Sequence, residues 1–146
     1  LLSALNIDTS LSQDYAKLTW REVLEMNRQG ICFGAHTVTH PILSRVPFPE
    51  AAREIRNSRV AIERRLDKPV RTFAYPNGGK GDFTEPVKRF LKEEGFIAAV
   101  TTLSGINDGD SDPLELRRIG VWDHDPNVLA LRLGWYRMYP ASGMEE

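Results

Sequence analysis

The sequence has little of three things that often reveal a protein's class: cysteine, charge of one sign and long apolar runs. Its 146 residues include one cysteine, Cys32, so an internal disulfide is excluded, and the apolar run around Cys32 predicts a buried thiol. The 19 basic and 20 acidic residues nearly cancel, which gives no electrostatic signal for nucleic acid or an anionic membrane and favours a neutral or small polar ligand. No apolar run approaches the roughly 20 residues of a membrane-spanning helix.

The beginning of the chain lacks the features of a signal peptide. Leu1-Leu2-Ser3-Ala4 is not the charged and then apolar start that such a peptide has. The first residue is not Met, so we expect the chain to continue a longer protein. Its length fits a single domain over residues 1–146.

Two of the three histidines lie in the segment Gly34–Pro41, four residues apart. Residues at that spacing on an extended strand are about 13 Å apart, whereas two imidazoles on one zinc ion must converge to about 2.0–2.1 Å from it. We therefore predict that His36 and His40 lie on a turn, and Pro41 biases His40 away from the right-handed helical region. The same pattern also occurs in surface and in hydrogen-bonded core histidines. A catalytic zinc site normally has three protein ligands, so the two histidines alone leave one ligand missing.

Helix and strand signals alternate along the rest of the chain. Thr19 and Glu22 form a capping box for a helix that Gly30 can end. The charges of the long helix at 49–66 indicate a solvated face. This alternation predicts an α/β protein with a parallel sheet, in which ligands bind at the carboxyl ends of the strands. The predicted strands are 31–35, 70–75, 96–102 and 118–121, and the other predicted helices are 84–94 and one that starts at 125.

Two segments resemble motifs of the polysaccharide deacetylase family, whose catalytic module is the NodB homology domain. His36–Pro41 is similar to the family's H-[ST]-x-x-H metal motif, and Arg71–Gly78, which reads RTFAYPNG, is similar to its F-A-Y-P-x-G variant. The resemblance spans roughly residues 18–121. It implies part of a distorted (β/α) barrel and a hydrolase that removes N-acetyl groups from N-acetylglucosamine-containing polysaccharide. It also implies a divalent metal, with zinc expected, bound by two histidines and one aspartate.

The resemblance implies roles for several residues. His36 and His40 would bind the metal, and the loop Tyr75-Pro76-Asn77 would offer a backbone N–H to the oxyanion of the tetrahedral intermediate, although Tyr75 also fits core packing. Arg118 is the candidate for the arginine that orients the base. His124 is the candidate for the acid that protonates the leaving amine. A simple surface position is the alternative for both.

The family's first motif, which resembles Thr-Phe-Asp-Asp-Gly and supplies the base and the third metal ligand, has no match in this chain. We expect the chain alone to be inactive, with the missing aspartates on a segment that precedes Leu1. The alternatives are completion by another polypeptide, or a degenerate carbohydrate-binding module that keeps Tyr75 and Trp122 for stacking. An opened barrel would expose a strand edge, which predicts self-association. The resemblance also implies a cell-envelope or secreted location.

Overall fold

A computed structural model of the chain describes residues 17–120 and 125–138. The contacts divide the chain into two compact units, Leu1–Cys32 and Phe33–Glu146, and each is described by itself. In chain order the elements are α1 (Trp20–Arg28), α2 (Phe48–Leu66), β1 (Thr72–Ala74), α3 (Glu85–Glu93), β2 (Ala98–Ser104), β3 (Leu116–Arg118) and α4 (Pro126–Met138).

The first unit contains α1, whose limits follow from local sequence. Thr19 Oγ1 accepts a hydrogen bond from the Glu22 N–H at 3.3 Å, and the Glu22 carboxylate accepts one from the Thr19 N–H at 2.7 Å. The predicted capping box is therefore confirmed, and the helix ends just before Gly30, whose φ of 96° suits a residue without Cβ. Cys32 is exposed. The prediction of a buried thiol is wrong, because an apolar stretch of sequence does not say which of its side chains become covered.

The second unit is built on a parallel sheet with the strand order β1-β2-β3. β1 pairs with β2 along its whole length, and β2 pairs with β3 through a register shift after Val100. At the opposite edge of β1, Ala35 forms a parallel bridge to Phe73. Four parallel segments therefore lie side by side, so their carboxyl ends meet at one rim. This is the arrangement that the alternating pattern predicts.

Two predicted strands differ from the observed ones. Within 31–35, Ala35 alone forms a bridge and is buried, while Ile31 is 48% exposed. β3 starts at Leu116, two residues before the predicted range 118–121, and overlaps that range at Arg118, because its pairing with β2 begins at Leu116. The remaining predicted elements are confirmed with shifts of a few residues at their ends; these are the helices at 49–66, 84–94 and 125 onward and the strands at 70–75 and 96–102.

One apolar core joins α2 and α3 to the sheet. Ala51 and Ile55 of α2 are fully buried at the four-residue spacing of a helix face. Outside this core, the half-exposed Phe48 ring of α2 contacts the Phe90 ring of α3 at 5.8 Å between centroids. Burial of each large side chain stabilises the fold by about 1.5–3 kcal/mol. Other members of this core are Leu43, Val70, Phe73, Tyr75, Val87, Leu91, Phe96, Ala99 and Leu114.

The last described element, α4, starts as predicted at the Asp125-Pro126 pair. Asp125 Oδ1 accepts a hydrogen bond from the Asn127 N–H at 2.8 Å, which satisfies a donor at the helix start. Across 17–120 and 125–138, no helix is both long and apolar enough to cross a membrane.

Candidate functional site

His36 and His40 lie on the turn that directly follows the Ala35 bridge, as the spacing predicts. Their ring centroids are 4.8 Å apart and their ring planes meet at 79°. Two imidazoles that bind one tetrahedral zinc ion at about 2.0–2.1 Å have ring centroids roughly 5 Å apart. The observed separation therefore fits a shared metal ion. Both residues are exposed, so the rings are accessible from solvent.

The imidazole of His36 is oriented by the sheet. Its Nδ1 lies 2.8 Å from the carbonyl oxygen of Ala74, the last residue of β1. A carbonyl oxygen can only accept, so Nδ1 carries the hydrogen and Nε2 keeps its lone pair. Metal-binding histidines typically have this second contact, which fixes both the tautomer and the ring direction. The contact therefore prepares His36 Nε2 to bind a metal ion.

The turn itself has a strained backbone. Thr37 and His40 have φ angles of 60° and 62°, in the left-handed region that a β-branched residue rarely adopts. Each residue held in this region lowers the stability of the fold by about 1–3 kcal/mol. The Thr37 hydroxyl donates to the His36 carbonyl at 2.6 Å and accepts from the His40 N–H at 3.2 Å. One hydroxyl thus links both histidines, and Pro41 follows directly.

A carboxylate from α2 contacts the middle of the turn. Glu54 Oε2 accepts hydrogen bonds from the Val38 N–H at 2.7 Å and the Thr39 N–H at 2.8 Å, and its Oε1 accepts one from the Thr39 hydroxyl at 3.0 Å. Burial raises the pKa of Glu54, but the hydrogen bonds from Thr39 and Val38 outweigh that effect, so the pKa is lowered. Glu54 therefore carries its charge where it holds the turn.

Sequence reasoning missed Glu54, because it interpreted the charges of α2 as a solvated face. One signal was present. Glu54 follows the buried Ala51 by three positions and precedes the buried Ser58 by four, which places it beside the inward stripe of the helix.

A second loop follows β1 and lies next to the histidine turn, since His36 contacts the carbonyl just before it. The Gly78 N–H donates to the Pro76 carbonyl at 2.7 Å, which makes a γ-turn with Asn77 at its centre and a φ of 59°. The Gly78 carbonyl accepts from the Thr102 N–H of β2 at 2.9 Å. A Cβ at Gly78 would lie 3.0 Å from that same nitrogen, so the position requires glycine.

Tyr75 is part of the core. Its side chain is 1% exposed, stacks on Phe83 with centroids 4.0 Å apart, and donates from its hydroxyl to the Leu114 carbonyl at 2.8 Å. Its backbone N–H donates to the Val100 carbonyl at 3.1 Å, and burial raises the pKa of the phenol. The predicted contact of Tyr75 with substrate is not supported, because both of its donors are used inside the fold.

Within the loop Tyr75-Pro76-Asn77, the last residue is the one that can present a donor. Pro76 has no N–H and is buried, whereas Asn77 is exposed. Among the described residues, the Asn77 N–H donates no hydrogen bond to another main-chain group. The role that the resemblance implies for this loop is therefore confined to the backbone of Asn77.

The structure does not bring Arg118, the predicted base-orienting residue, to the histidine pair. Arg118 ends β3, and its Nε donates to the Thr101 carbonyl of β2. With strands about 4.8 Å apart, its backbone lies about 14 Å across the sheet from Ala35. The role of Arg118 stays a prediction. His124 lies outside the described residues, so its role also stays a prediction.

Among the described residues, no third ligand lies beside the two imidazoles. Over residues 17–120 and 125–138, no group of three histidine, cysteine, aspartate or glutamate side chains is arranged to hold a metal ion. The described site therefore offers two imidazole nitrogen ligands. Zinc and other divalent transition metals accept such ligands readily.

The family model for polysaccharide deacetylases matches residues 6–104, more than half of the chain and both motifs in order. The chain belongs to the polysaccharide deacetylase family. The match begins before the range 18–121 predicted from the motifs and ends inside it. A search of curated proteins gives no significant match.

Solved structures of deacetylases share the fold. The deacetylase PplD of Streptococcus pyogenes, solved in complex with acetate, is 26% identical with a TM-score of 0.73, over 81% of this chain and 51% of that one. A polysaccharide deacetylase from Bacillus cereus is 28% identical with a TM-score of 0.60, over 78% and 34%. IcaB from Ammonifex degensii is 22% identical with a TM-score of 0.68, over 84% of this chain and 54% of that one. At this identity it supports the fold alone.

These comparisons confirm the predicted fold, an α/β structure that forms part of a distorted (β/α) barrel of the NodB type. The chain spans about half or less of the length of these solved proteins. The family description names polysaccharide as the class of substrate.

Proposed function

We propose that this chain provides the two histidine ligands of a metal-dependent hydrolase that removes N-acetyl groups from N-acetylglucosamine-containing polysaccharide. The observation that carries the proposal is the pairing of two imidazoles at 4.8 Å, one of them oriented by the Ala74 carbonyl through its Nδ1. Membership of the polysaccharide deacetylase family supports the reaction class.

His36 and His40 would hold the metal, for which zinc is the expected ion because two neutral imidazoles suit it. A bound divalent ion lowers the pKa of a coordinated water toward neutrality and polarises a carbonyl group. The His36–Ala74 contact would keep Nε2 aimed at the site throughout. Both rings come from one turn, so a change in that turn would alter both ligands together.

The Asn77 backbone N–H is the donor proposed to stabilise the oxyanion. In amide hydrolysis, water adds to the acetyl carbon, the carbonyl oxygen becomes an anion, and the C–N bond then breaks as the amine takes up a proton. A fixed donor to that anion contributes about 3 kcal/mol where such donors have been removed. The γ-turn holds the Asn77 N–H beside the histidine turn, and the exposed Asn77 leaves space for a sugar. His124 stays the proposed acid.

Titration of the purified chain with Zn²⁺ by calorimetry tests the metal site. We expect one ion per chain, at least a hundredfold loss of affinity in each of His36→Ala and His40→Ala, and a change of less than threefold in His124→Ala. His124 is the matched control, because it is the remaining histidine. Absence of zinc binding, or full binding by the two alanine variants of the turn, would contradict the proposal.

A second candidate is a non-catalytic carbohydrate-binding module, favoured by the lack of a third ligand among the described residues. We expect the chain alone to release no acetate from N-acetylglucosamine oligomers, because the base and third ligand have no match in its sequence. Binding of those oligomers before and after chelation separates the two functions. Binding that a chelator leaves unchanged favours the module, whereas binding that needs zinc favours the hydrolase site.

A further inference from the structure

We propose that Glu54 is the positioning residue of the histidine turn, which holds His36 and His40 in the conformation where their rings converge. The inference deepens the proposed function and rests on it, since the convergence matters for a shared metal. Three hydrogen bonds carry it, from the Val38 N–H, the Thr39 N–H and the Thr39 hydroxyl, all between 2.7 and 3.0 Å.

The backbone of the turn needs an external restraint. Thr37 and His40 are both in the left-handed region, and such residues persist where the surrounding structure determines them. Val38 and Thr39 lie between them, and their consecutive N–H groups converge on one oxygen of Glu54. Glu54 thus fixes the direction of two of the three peptide units that join the strained residues.

The chemistry of these contacts favours an ionised carboxylate. Three donors approach one side chain, and a carboxylate accepts on both oxygens through charge-assisted hydrogen bonds, which are about twice as strong as neutral ones. A glutamine of the same size keeps one neutral acceptor oxygen for the two N–H groups, and the Thr39 hydroxyl would have to turn and accept from its NH₂ group. A side chain that merely fills space at position 54 would tolerate this change, so Glu54→Gln distinguishes positioning from packing.

The restraint comes from a rigid part of the fold. Glu54 lies on α2 between Ala51 and Ile55, both with no exposed surface. Beyond the histidines, Leu43 is 2% exposed and belongs to the same core. The turn therefore leaves the sheet at Ala35, is held in its middle by α2, and returns to the core at Leu43.

The same helix provides a matched control. Glu63 Oε1 accepts from the Val70 N–H at 2.9 Å and from Arg59 Nε at 2.9 Å. Like Glu54, it is a carboxylate of α2 that holds backbone from another segment, but its contacts are with residues outside the histidine turn. Glu63→Gln should therefore match Glu54→Gln in its general cost to the fold and leave the turn intact.

Zinc affinity of the parent chain and three variants is the main test. We expect Glu54→Gln to bind Zn²⁺ at least tenfold more weakly than the parent chain and Glu63→Gln to stay within twofold. Thr39→Val removes the hydroxyl contact, keeps both N–H contacts and should weaken zinc binding by roughly two- to fivefold. If Glu54→Gln does not fold, the zinc affinity of Thr39→Val is the test of the inference. Parent-like affinity in the Glu54 variant, or equal weakening by Glu63→Gln, overturns the inference.

Amide hydrogen exchange of the metal-free proteins separates this inference from the proposed function. If the parent chain binds no zinc, the proposed metal site fails, but exchange still tests the restraint. At least tenfold faster exchange at Val38 and Thr39 in Glu54→Gln, with parent rates there in Glu63→Gln, supports Glu54 as the residue that holds the turn. Unchanged rates in Glu54→Gln overturn it.

Discussion

The two loops at the rim of the sheet are held in opposite ways. The histidine turn is exposed, and side chains hold it: Thr37, Glu54 and the His36 imidazole itself. The loop after β1 is held by main-chain hydrogen bonds, from Gly78 to Pro76 and from Thr102 to Gly78. The first loop offers side-chain lone pairs and the second offers a backbone N–H.

This difference determines which substitutions each loop should tolerate. A loop held by side chains depends on the chemistry of particular residues, including one on a distant helix. A loop held by its main chain depends on backbone conformation, so it needs glycine at one position and accepts different side chains at its exposed tip. The asparagine at position 77, which is exposed at the tip of the loop, is consistent with that freedom.

The largest loss of stability is expected at Gly78. A substitution there tests most directly whether main-chain conformation holds the second loop. Gly78→Ala should lower the free energy of unfolding by about 2–3 kcal/mol, because φ is 73° and the added Cβ would lie 3.0 Å from the Thr102 nitrogen. Urea unfolding measures this. Gly109→Ala is the control, since a Cβ there meets nothing within 4 Å. Equal stability of the two variants would show that the main chain of this loop is not closely constrained.

Tyr75→Phe should destabilise the protein by about 1–2 kcal/mol without changing zinc affinity. The variant removes the 2.8 Å hydrogen bond to the Leu114 carbonyl, and a buried acceptor left without its donor costs roughly that much. Thermal unfolding and calorimetric zinc titration are the measurements. A loss of zinc affinity at unchanged stability would show that Tyr75 serves the site rather than the core.

Asn77→Ala should cost about 1 kcal/mol, because alanine tolerates the left-handed φ of 59° less well than asparagine does. Asn77→Gly should be close to neutral, because glycine adopts this region without steric cost. Denaturant titration of both variants checks the order. If Asn77→Gly is the less stable of the two, the asparagine side chain makes a contribution that backbone geometry does not explain.

Acid should loosen the histidine turn and leave the second loop unchanged. The pKa of Glu54 is lowered in the folded protein, since the hydrogen bonds from Thr39 and Val38 outweigh the effect of burial. Its contribution is therefore present above the ordinary carboxyl pKa of about 4.3 and is lost as pH falls through the lower folded value. We expect protonation of Glu54 to lower the free energy of unfolding by less than about 1 kcal/mol, because its carboxylate is partly solvated.

Amide protection factors measured between pH 6 and pH 3 test this expectation. They are already corrected for the change of the intrinsic exchange rate with pH. Protection at Val38 and Thr39 should fall, while protection at Thr102, whose N–H is bound by the Gly78 carbonyl, should stay constant. A parallel fall at all three positions would indicate global acid unfolding and would remove the contrast between the loops.

Local signals in the sequence predicted most of the fold and the place of the histidine pair. The Thr19–Glu22 capping box and the apolar spacing of α2 act within a few residues, so they are readable from one segment. The turn at His36 and His40 follows from the reach of two imidazoles and from Pro41. Long-range contacts were harder to predict.

The contacts that sequence reasoning missed depend on tertiary structure. Glu54 binds residues 15 and 16 positions earlier, and nothing in the local pattern of charges separates it from its solvated neighbours except its place beside the buried stripe. Alternation places Tyr75, the residue after β1, on the same face as Phe73, but only the stacking on Phe83 shows that this ring is enclosed by the core. The start of β3 depends on a register shift in β2 that no single segment encodes.

Because His36 is hydrogen-bonded to Ala74, the two histidines are positioned by different parts of the fold. His36 takes its direction from the sheet, whereas His40 takes its position from residues 37–39 and the helix behind them. The distance between the two imidazoles can therefore change through substitutions in three loop residues while the barrel strands stay as they are. At the proposed metal site, such substitutions would adjust the preference for one metal ion over another and leave the fold untouched.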